Sequence, residues 1–83
     1  MKNISYIYIL NPVLTKAEIR IRGFQPGTSV RLILYNIYGN KIFETSCTGV
    51  INFSREGNPS GLYLVAIYDA DGRFMSSQKM MLE

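Results

Sequence analysis

Residues that favour turns recur along this chain at intervals of about 10 to 14 positions, and this spacing limits the possible folds more than any other feature. Short, regular intervals of this kind are typical of the strands of a sandwich or a barrel. The segments between the turns are rich in Ile, Val, Tyr, Phe and Thr, which pack well on a pleated sheet. The turn residues stand at Asn11-Pro12, 23–27, Gly39-Asn40, Gly49, 57–61 and Asp71-Gly72.

Seven segments between these turns are predicted to be strands. Residues 17–22 alternate apolar and charged side chains, so one face meets a core and the other meets water. Segments 30–35 and 61–68 are apolar on both faces, which indicates central strands. Segment 41–46 does not alternate cleanly, and no inward face is assigned to it. The predicted strands are 5–10, 17–22, 30–35, 41–46, 49–53, 61–68 and 74–81.

Two turns predict antiparallel neighbours and, with them, the fold. Residues 69–72 suit a tight hairpin between the last two strands, because Asp and Gly supply the positive φ that such a turn requires. Residues 38–41 do the same for the middle pair. Two small sheets packed face to face satisfy this pattern, which predicts an all-β chain forming a small immunoglobulin-like β-sandwich of about seven antiparallel strands. We expect it to occupy residues 1–83 as one domain.

A five-stranded barrel of the oligonucleotide-binding type is the alternative architecture. That fold usually has a helix between its third and fourth strands, and no segment of this sequence favours a helix of ordinary length. The predicted sandwich core is Ile7, Ile9, Ile19, Ile21, Val30, Leu32, Leu34, Ile51, Phe53, Tyr63, Val65 and Ile67.

The composition argues against catalysis. The 83 residues include no histidine, no tryptophan and one cysteine, which removes the usual general base, every disulfide framework and the zinc-cluster signatures. We therefore expect no enzyme activity and no cofactor. The net charge is +3, and the nine Lys and Arg residues are spread along the chain, which favours a solvated surface over a nucleic-acid-binding one. Six tyrosines could stack on single-stranded nucleic acid, but aromatics at strand spacing more often fill a sandwich core.

Three short motifs could carry chemistry, and each has a simpler explanation. Asp69 and Asp71 resemble part of a calcium loop, but its bidentate glutamate is missing and a hairpin turn explains both residues. Cys47 could be a nucleophile only with a lysine as its base, so a packed lone thiol is favoured. Ser77 and Lys79 resemble a Ser-Lys hydrolase pair, yet on an edge strand they would merely share the polar side.

The apolar run at residues 4–10 is too short to cross a bilayer, which needs about 20 residues. Asn11-Pro12 ends it without a small-residue cleavage site, so a first strand is favoured over a secretory signal. We expect no membrane insertion.

Five stretches of the chain, in this order and spacing, resemble the type IX secretion C-terminal sorting domain, also called the Por secretion system sorting domain. The resemblance covers nearly the whole chain, although each motif alone would suit any small sandwich. The stretches are Asn11-Pro12, Val30-x-Leu32-x-Leu34-Tyr35-Asn36-x-x-Gly39-Asn40-Lys41, Ile51-x-Phe53, Ser60-Gly61-Leu62-Tyr63-Leu64-Val65 and Lys79-Met80-Met81-Leu82.

The resemblance implies a targeting function without catalysis. In that family the domain ends a larger exported protein of certain Gram-negative bacteria and is recognised by the outer-membrane secretion machinery. A sortase-like peptidase commonly removes it and attaches the cargo to surface lipopolysaccharide. It implies a secreted or cell-surface location reached through the periplasm. The scattered cations and the strand spacing of the aromatics separately lead us to expect no nucleic-acid partner. The chain that begins at Met1 is then expected to be either a fragment, preceded in the full protein by an N-terminal cargo domain, or a stand-alone small protein.

Individual residues of this chain match positions in the family's motifs. Asn11 and Pro12 match its opening motif, and Gly39 matches the turn after its central strand. Gly61 and Tyr63 match the start of its penultimate strand. The terminal strand is matched by Lys79, Met80, Met81 and Leu82. Two departures weaken the match: Leu10 stands where the family often has a second proline, and the tail has one basic residue instead of the commoner pair.

The matched residues also have physical roles. Gly39 and Gly61 permit close turns, and Tyr63 supplies core area while its hydroxyl can reach a buried backbone acceptor. The terminal strand is the predicted recognition element, because an edge strand presents free backbone groups to a partner. Deleting residues 79–83 is then expected to abolish export of a fused reporter and to leave the truncated domain folded.

A free-standing secreted or periplasmic sandwich, adhesive or carbohydrate-binding, is the second candidate function. Sugar stacking would require exposed aromatic side chains on one face. The candidates are Tyr6, Tyr8, Tyr38 and Tyr68.

Overall fold

A computed structural model describes residues 6–9, 15–22 and 28–83 of the chain. These residues form seven strands in two antiparallel sheets, which confirms the predicted all-β sandwich. The strands are β1 (Tyr6–Ile9), β2 (Lys16–Arg22), β3 (Val30–Tyr35), β4 (Lys41–Cys47), β5 (Val50–Ser54), β6 (Gly61–Tyr68) and β7 (Phe74–Leu82).

The strand order is that of an immunoglobulin-like sandwich in which the fourth strand has joined the second sheet. One sheet has the order β1-β2-β5 and the other β4-β3-β6-β7. The two strands predicted to be central, β3 and β6, are neighbours in the middle of the larger sheet. The predicted hairpins pair β3 with β4 and β6 with β7. The chain changes sheet after β2, after β4 and after β5, so the sandwich is tied together by three crossings.

The core lies between the two sheets, where alternate residues of each strand point inward. Eleven of the twelve predicted core residues are buried; Ile9 is half-buried at the border, which corrects its assignment. Four further inward residues complete this layer: Ala17, Cys47, Met80 and Leu82. The last two, Met80 and Leu82, belong to the terminal strand β7.

The two hairpins of the larger sheet use the same turn. In each, an Asn or Asp side chain accepts two backbone N–H groups of the turn, as Asn36 does from Tyr38 and Asn40 at 2.9 and 3.0 Å. Asp69 accepts from Asp71 and Arg73 at 2.9 and 2.8 Å. A glycine with positive φ follows three residues after each, Gly39 at 83° and Gly72 at 87°. The turn at 69–72 is therefore built by the carboxylate that resembled a calcium ligand.

Each hairpin also has a β-bulge, located at the second residue of the strand that follows its turn. The pairing register skips Ile42 in β4 and Met75 in β7, and both side chains pack against the core. An extra residue shifts the side-chain alternation by one position. This bulge explains why segment 41–46 shows no clean alternation in the sequence.

Candidate functional site

The terminal strand sends its predicted residues to two opposite faces. Met80 and Leu82 are 0% and 1% exposed in the core, whereas Lys79 and Met81 are exposed on the outer side of the larger sheet. β7 is an edge strand, as predicted, and β1 of the other sheet approaches it. Because the inward pair is buried, Lys79 and Met81 are the two of these four side chains that a partner can contact while the fold stays intact.

The outer side of the larger sheet is apolar at its centre. Cross-strand pairs place Leu62 beside Met81, and Leu64 beside both Tyr35 and Lys79. We call the set formed by Ile33, Tyr35, Leu62, Leu64, Ala66 and Met81 the apolar face. The apolar residues on both sides of β3 and β6 had indicated only that these strands are central in their sheet. One of those sides forms the core, and the other forms this face.

Two tyrosines cover the middle of the apolar face. The hydroxyls of Tyr35 and Tyr68 lie 3.3 Å apart. Tyr35 follows Ile33 by two residues on β3, and Tyr68 follows Ala66 by two residues on the antiparallel strand β6, so the two backbones lie on opposite sides of the Ile33–Ala66 pair. To meet, both side chains must lie along the sheet above that pair. This explains why Ile33 and Ala66 are only 9% and 2% exposed on an outer surface. The hydrogen bond between the hydroxyls, helped by burial, raises the pKa of Tyr35.

Beyond the tyrosine pair, the apolar face opens into a groove. Two adjoining depressions of about 210 and 290 Å³ share four lining residues, namely Asn36, Ile37, Leu62 and Tyr63. The first extends under the β3–β4 turn toward the 58–61 segment, and the second extends over Leu64 to Lys79. Leu62 and Leu64 are each 38% exposed and Ile37 is 67% exposed, so the groove walls offer apolar surface to solvent.

Charged side chains border the apolar face. Glu44 accepts hydrogen bonds from Arg31 Nη1 at 2.6 Å and from Lys41 Nζ at 2.7 Å. The bonds from Lys41 and from Arg31 hold the pKa of the Glu44 carboxyl below its ordinary value. Among the described residues, the charged side chains that border the face are Arg31, Lys41, Lys79 and Glu44, so this border is net positive.

The opposite outer face, on the smaller sheet, is mostly polar, although Tyr8 and Val50 are exposed on it on either side of Arg20. Along β2 the outward side chains are Lys16, Glu18, Arg20 and Arg22, and Arg20 bonds Glu18 at 3.0 Å. This face follows the usual rule that one side of an antiparallel sheet is wet. The apolar outer face of the larger sheet departs from that rule, which makes it the candidate functional site.

The segment that leads into β6 is fastened by side-chain hydrogen bonds. Tyr63, buried as predicted, donates its hydroxyl to the Pro59 carbonyl at 2.6 Å, which confirms the expected backbone acceptor. A tyrosine that bonds back across the corner before its own strand is a hallmark of immunoglobulin-like sandwiches. Gly61 enters the strand with φ 144°, a conformation that favours glycine.

Arg55, which no sequence pattern had singled out, links this segment to the end of the chain. Its guanidinium donates to the Asn58 carbonyl at 3.1 Å, to Ser60 Oγ at 2.7 Å and to the Glu83 carbonyl. The C-terminus is therefore held both by its buried side chains and by its backbone.

The remaining predicted sites are not brought together. Burial raises the pKa of the Cys47 thiol, so it stays protonated at neutral pH, as expected of a packed lone thiol. Ser77 and Lys79 share the outer side of β7 as expected. Tyr8 lies on the smaller sheet and Tyr68 on the larger one, so the aromatic platform of the carbohydrate-binding alternative is not formed by them. Asn11 and Pro12 lie outside the described residues.

Within the part of the chain that the structure describes, no three His, Cys, Asp or Glu side chains are grouped as a metal site would require. The same residues include no helix with the length and hydropathy of a membrane span. No protein-family model matches the chain, and no curated protein is significantly similar to it.

Proposed function

We propose that this chain is a non-catalytic sorting domain, recognised through the apolar face by an outer-membrane secretion machinery of the type IX kind. The observation that carries the proposal is the position of Lys79 and Met81. The terminal strand matches the family's terminal strand and is the predicted recognition element. Of its two outward residues, Met81 belongs to the apolar face of the larger sheet and Lys79 borders it. Exposed apolar surface rimmed by polar residues is characteristic of interaction sites on soluble proteins.

The proposed partners follow from this role. An exported cargo domain would precede the sorting domain, the secretion machinery would bind it in the periplasm, and a sortase-like peptidase would release it at the cell surface. The domain needs no catalytic residues of its own for any of these steps. Its role is to hold the side chains of Lys79 and Met81 in a fixed geometry for recognition by the secretion machinery.

The test uses a reporter with a periplasmic export signal at its N-terminus and this chain at its C-terminus, expressed in a bacterium with a type IX system. The test variant combines Lys79→Glu with Met81→Ser. Its matched control combines Lys16→Glu with Val50→Ser on the outer face of the smaller sheet, where both side chains are exposed.

We expect the test variant to lower surface display of the reporter roughly tenfold and the control to leave it unchanged, because only the first alters the apolar face. Both variants should melt within a few degrees of the parent, since surface substitutions seldom change stability by more than about 0.5 kcal/mol. Equal display by both variants, or display that persists in a strain lacking the secretion machinery, would refute the proposal.

A further inference from the structure

The groove at the end of the apolar face has the shape and charge of a site for a short extended peptide. We propose that it binds a segment with two apolar side chains in alternate positions followed by a carboxylate. This inference rests on the proposed function in using the same face, and it adds the chemistry of the partner segment.

The two depressions suit two side chains of one extended strand. An enclosed cavity of about 150 Å³ holds a benzene ring, so openings of about 210 and 290 Å³ each have room for one aliphatic or aromatic side chain. The depressions adjoin, with Ile37 and Leu62 lining both. Side chains two residues apart on a strand point to the same side and are separated by about 6.8 Å, so one extended segment can place a side chain in each of two adjoining depressions.

The carboxylate is inferred from the charges around the groove. Lys79 is the one charged side chain among its described lining residues, and it stands at the end of the second depression. A row across the sheet runs from Lys41 through Tyr35 and Leu64 to Lys79, so a lysine lies on each side of the apolar centre. An acidic group on the ligand would complement this border, and a basic group would be repelled.

The same charges disfavour a second copy of this chain as the occupant. Face-to-face packing of two identical apolar faces would bring two net-positive borders together, and like-charge contacts across an interface are costly. The projecting Ile37 and Tyr38 turn, exposed by 67% and 81%, gives the groove a wall that suits a peptide better than a flat bilayer.

The test is an NMR titration of the whole chain with acetyl-Leu-Ser-Leu-Ser-Asp, in which the two leucines and the aspartate share one side when extended. We expect methyl shifts at Ile37, Leu62 and Leu64, with binding that weakens as salt rises. The peptide acetyl-Leu-Ser-Leu-Ser-Lys should bind at least about fivefold more weakly, and acetyl-Ser-Ser-Ser-Ser-Asp should not shift these methyls.

The variant Lys79→Glu should reverse the preference, binding the lysine peptide better than the aspartate peptide, and Lys16→Glu should preserve the parent order. The inference is overturned if the peptides produce no methyl shifts at about 2 mM, if Lys79→Glu leaves the preference unchanged, or if anionic phosphatidylglycerol vesicles shift the three methyls and the peptides do not. The two proposals can fail separately. Loss of display by the Lys79 and Met81 variant without peptide binding would refute only the peptide, and peptide binding with unaltered display would refute only the sorting function.

Discussion

Removing residues 79–83 should unfold the domain, contrary to the expectation from the sequence that the truncated chain stays folded. The deletion takes Met80 and Leu82 out of the core, where their exposures are 0% and 1%. Truncating one buried Met or Leu to alanine costs about 2 to 5 kcal/mol, so losing both costs about 4 to 10 kcal/mol. The whole stability of an 83-residue domain is about 4 to 12 kcal/mol at typical values per residue. The deletion also removes the strand pairing of Tyr63 with Met80 and the hydrogen bond from Arg55 to Glu83.

The assay compares three proteins by circular dichroism during heating: the full chain, the deletion, and Lys79→Ser combined with Met81→Ser. The double variant changes only the outward residues of the same strand and should melt within a few degrees of the full chain. The deletion should show no cooperative transition. If the truncated chain melted cooperatively within about 5 °C of the full chain, Met80 and Leu82 would contribute far less than about 4 to 10 kcal/mol to the free energy of unfolding, and the prediction would be wrong.

Three further predictions concern single residues. Tyr63→Phe should lower the free energy of unfolding by about 1 to 2 kcal/mol, and the melting temperature by roughly 5 to 12 °C, because the Pro59 carbonyl loses its hydrogen-bond donor. The control Tyr38→Phe, at an exposed position, should leave the melting temperature unchanged. Gly39→Ala should destabilise by about 1 kcal/mol in urea unfolding through its positive φ alone, since open space surrounds the added methyl, whereas Gly57→Ala should be neutral or slightly stabilising. The pKa of the Glu44 carboxyl is lower in the folded chain than in the unfolded chain, so the ionised carboxylate stabilises the fold. This contribution is fully present above the unfolded glutamate pKa and is lost as the pH falls through the folded pKa. Glu44→Gln should therefore flatten the pH dependence of the melting temperature below about pH 4.

Local sequence patterns were sufficient to predict the strands, the hairpins and most of the core. Alternation in β2 and turn chemistry at Asp71-Gly72 act between near neighbours, so they can be read from the chain itself. Met80 and Leu82 were not included in the predicted core because residues 76–79 are polar on both sides of the strand, so no apolar alternation leads up to Met80, and because Leu82 lies beyond the predicted strand 74–81.

The candidate site depends on contacts between distant residues, and only an indirect signal of it is present in the sequence. That signal is the apolar character of both sides of β3 and β6, which in a two-sheet domain leaves one side without a covering layer. A second signal is the recurrence of Tyr-Asn-x-x-Gly at Tyr35 as Tyr-Asp-x-x-Gly at Tyr68. The meeting of the two hydroxyls follows from the pairing of β3 with β6, a register that no local pattern determines.

On the proposed function, the terminal strand combines two tasks on alternate residues, and this determines how the proposal can be tested. Met80 and Leu82 fasten the strand to the core, while Lys79 and Met81 face outward beside Leu62 and Leu64. Since the side-chain period of a strand is two, the outward pair has its geometry only while the inward pair is packed. A signal of this kind is a folded surface and cannot be supplied by the last five residues as a linear tail. Loss of export after a deletion would therefore report the loss of the fold, and only substitutions confined to the outward pair can report recognition.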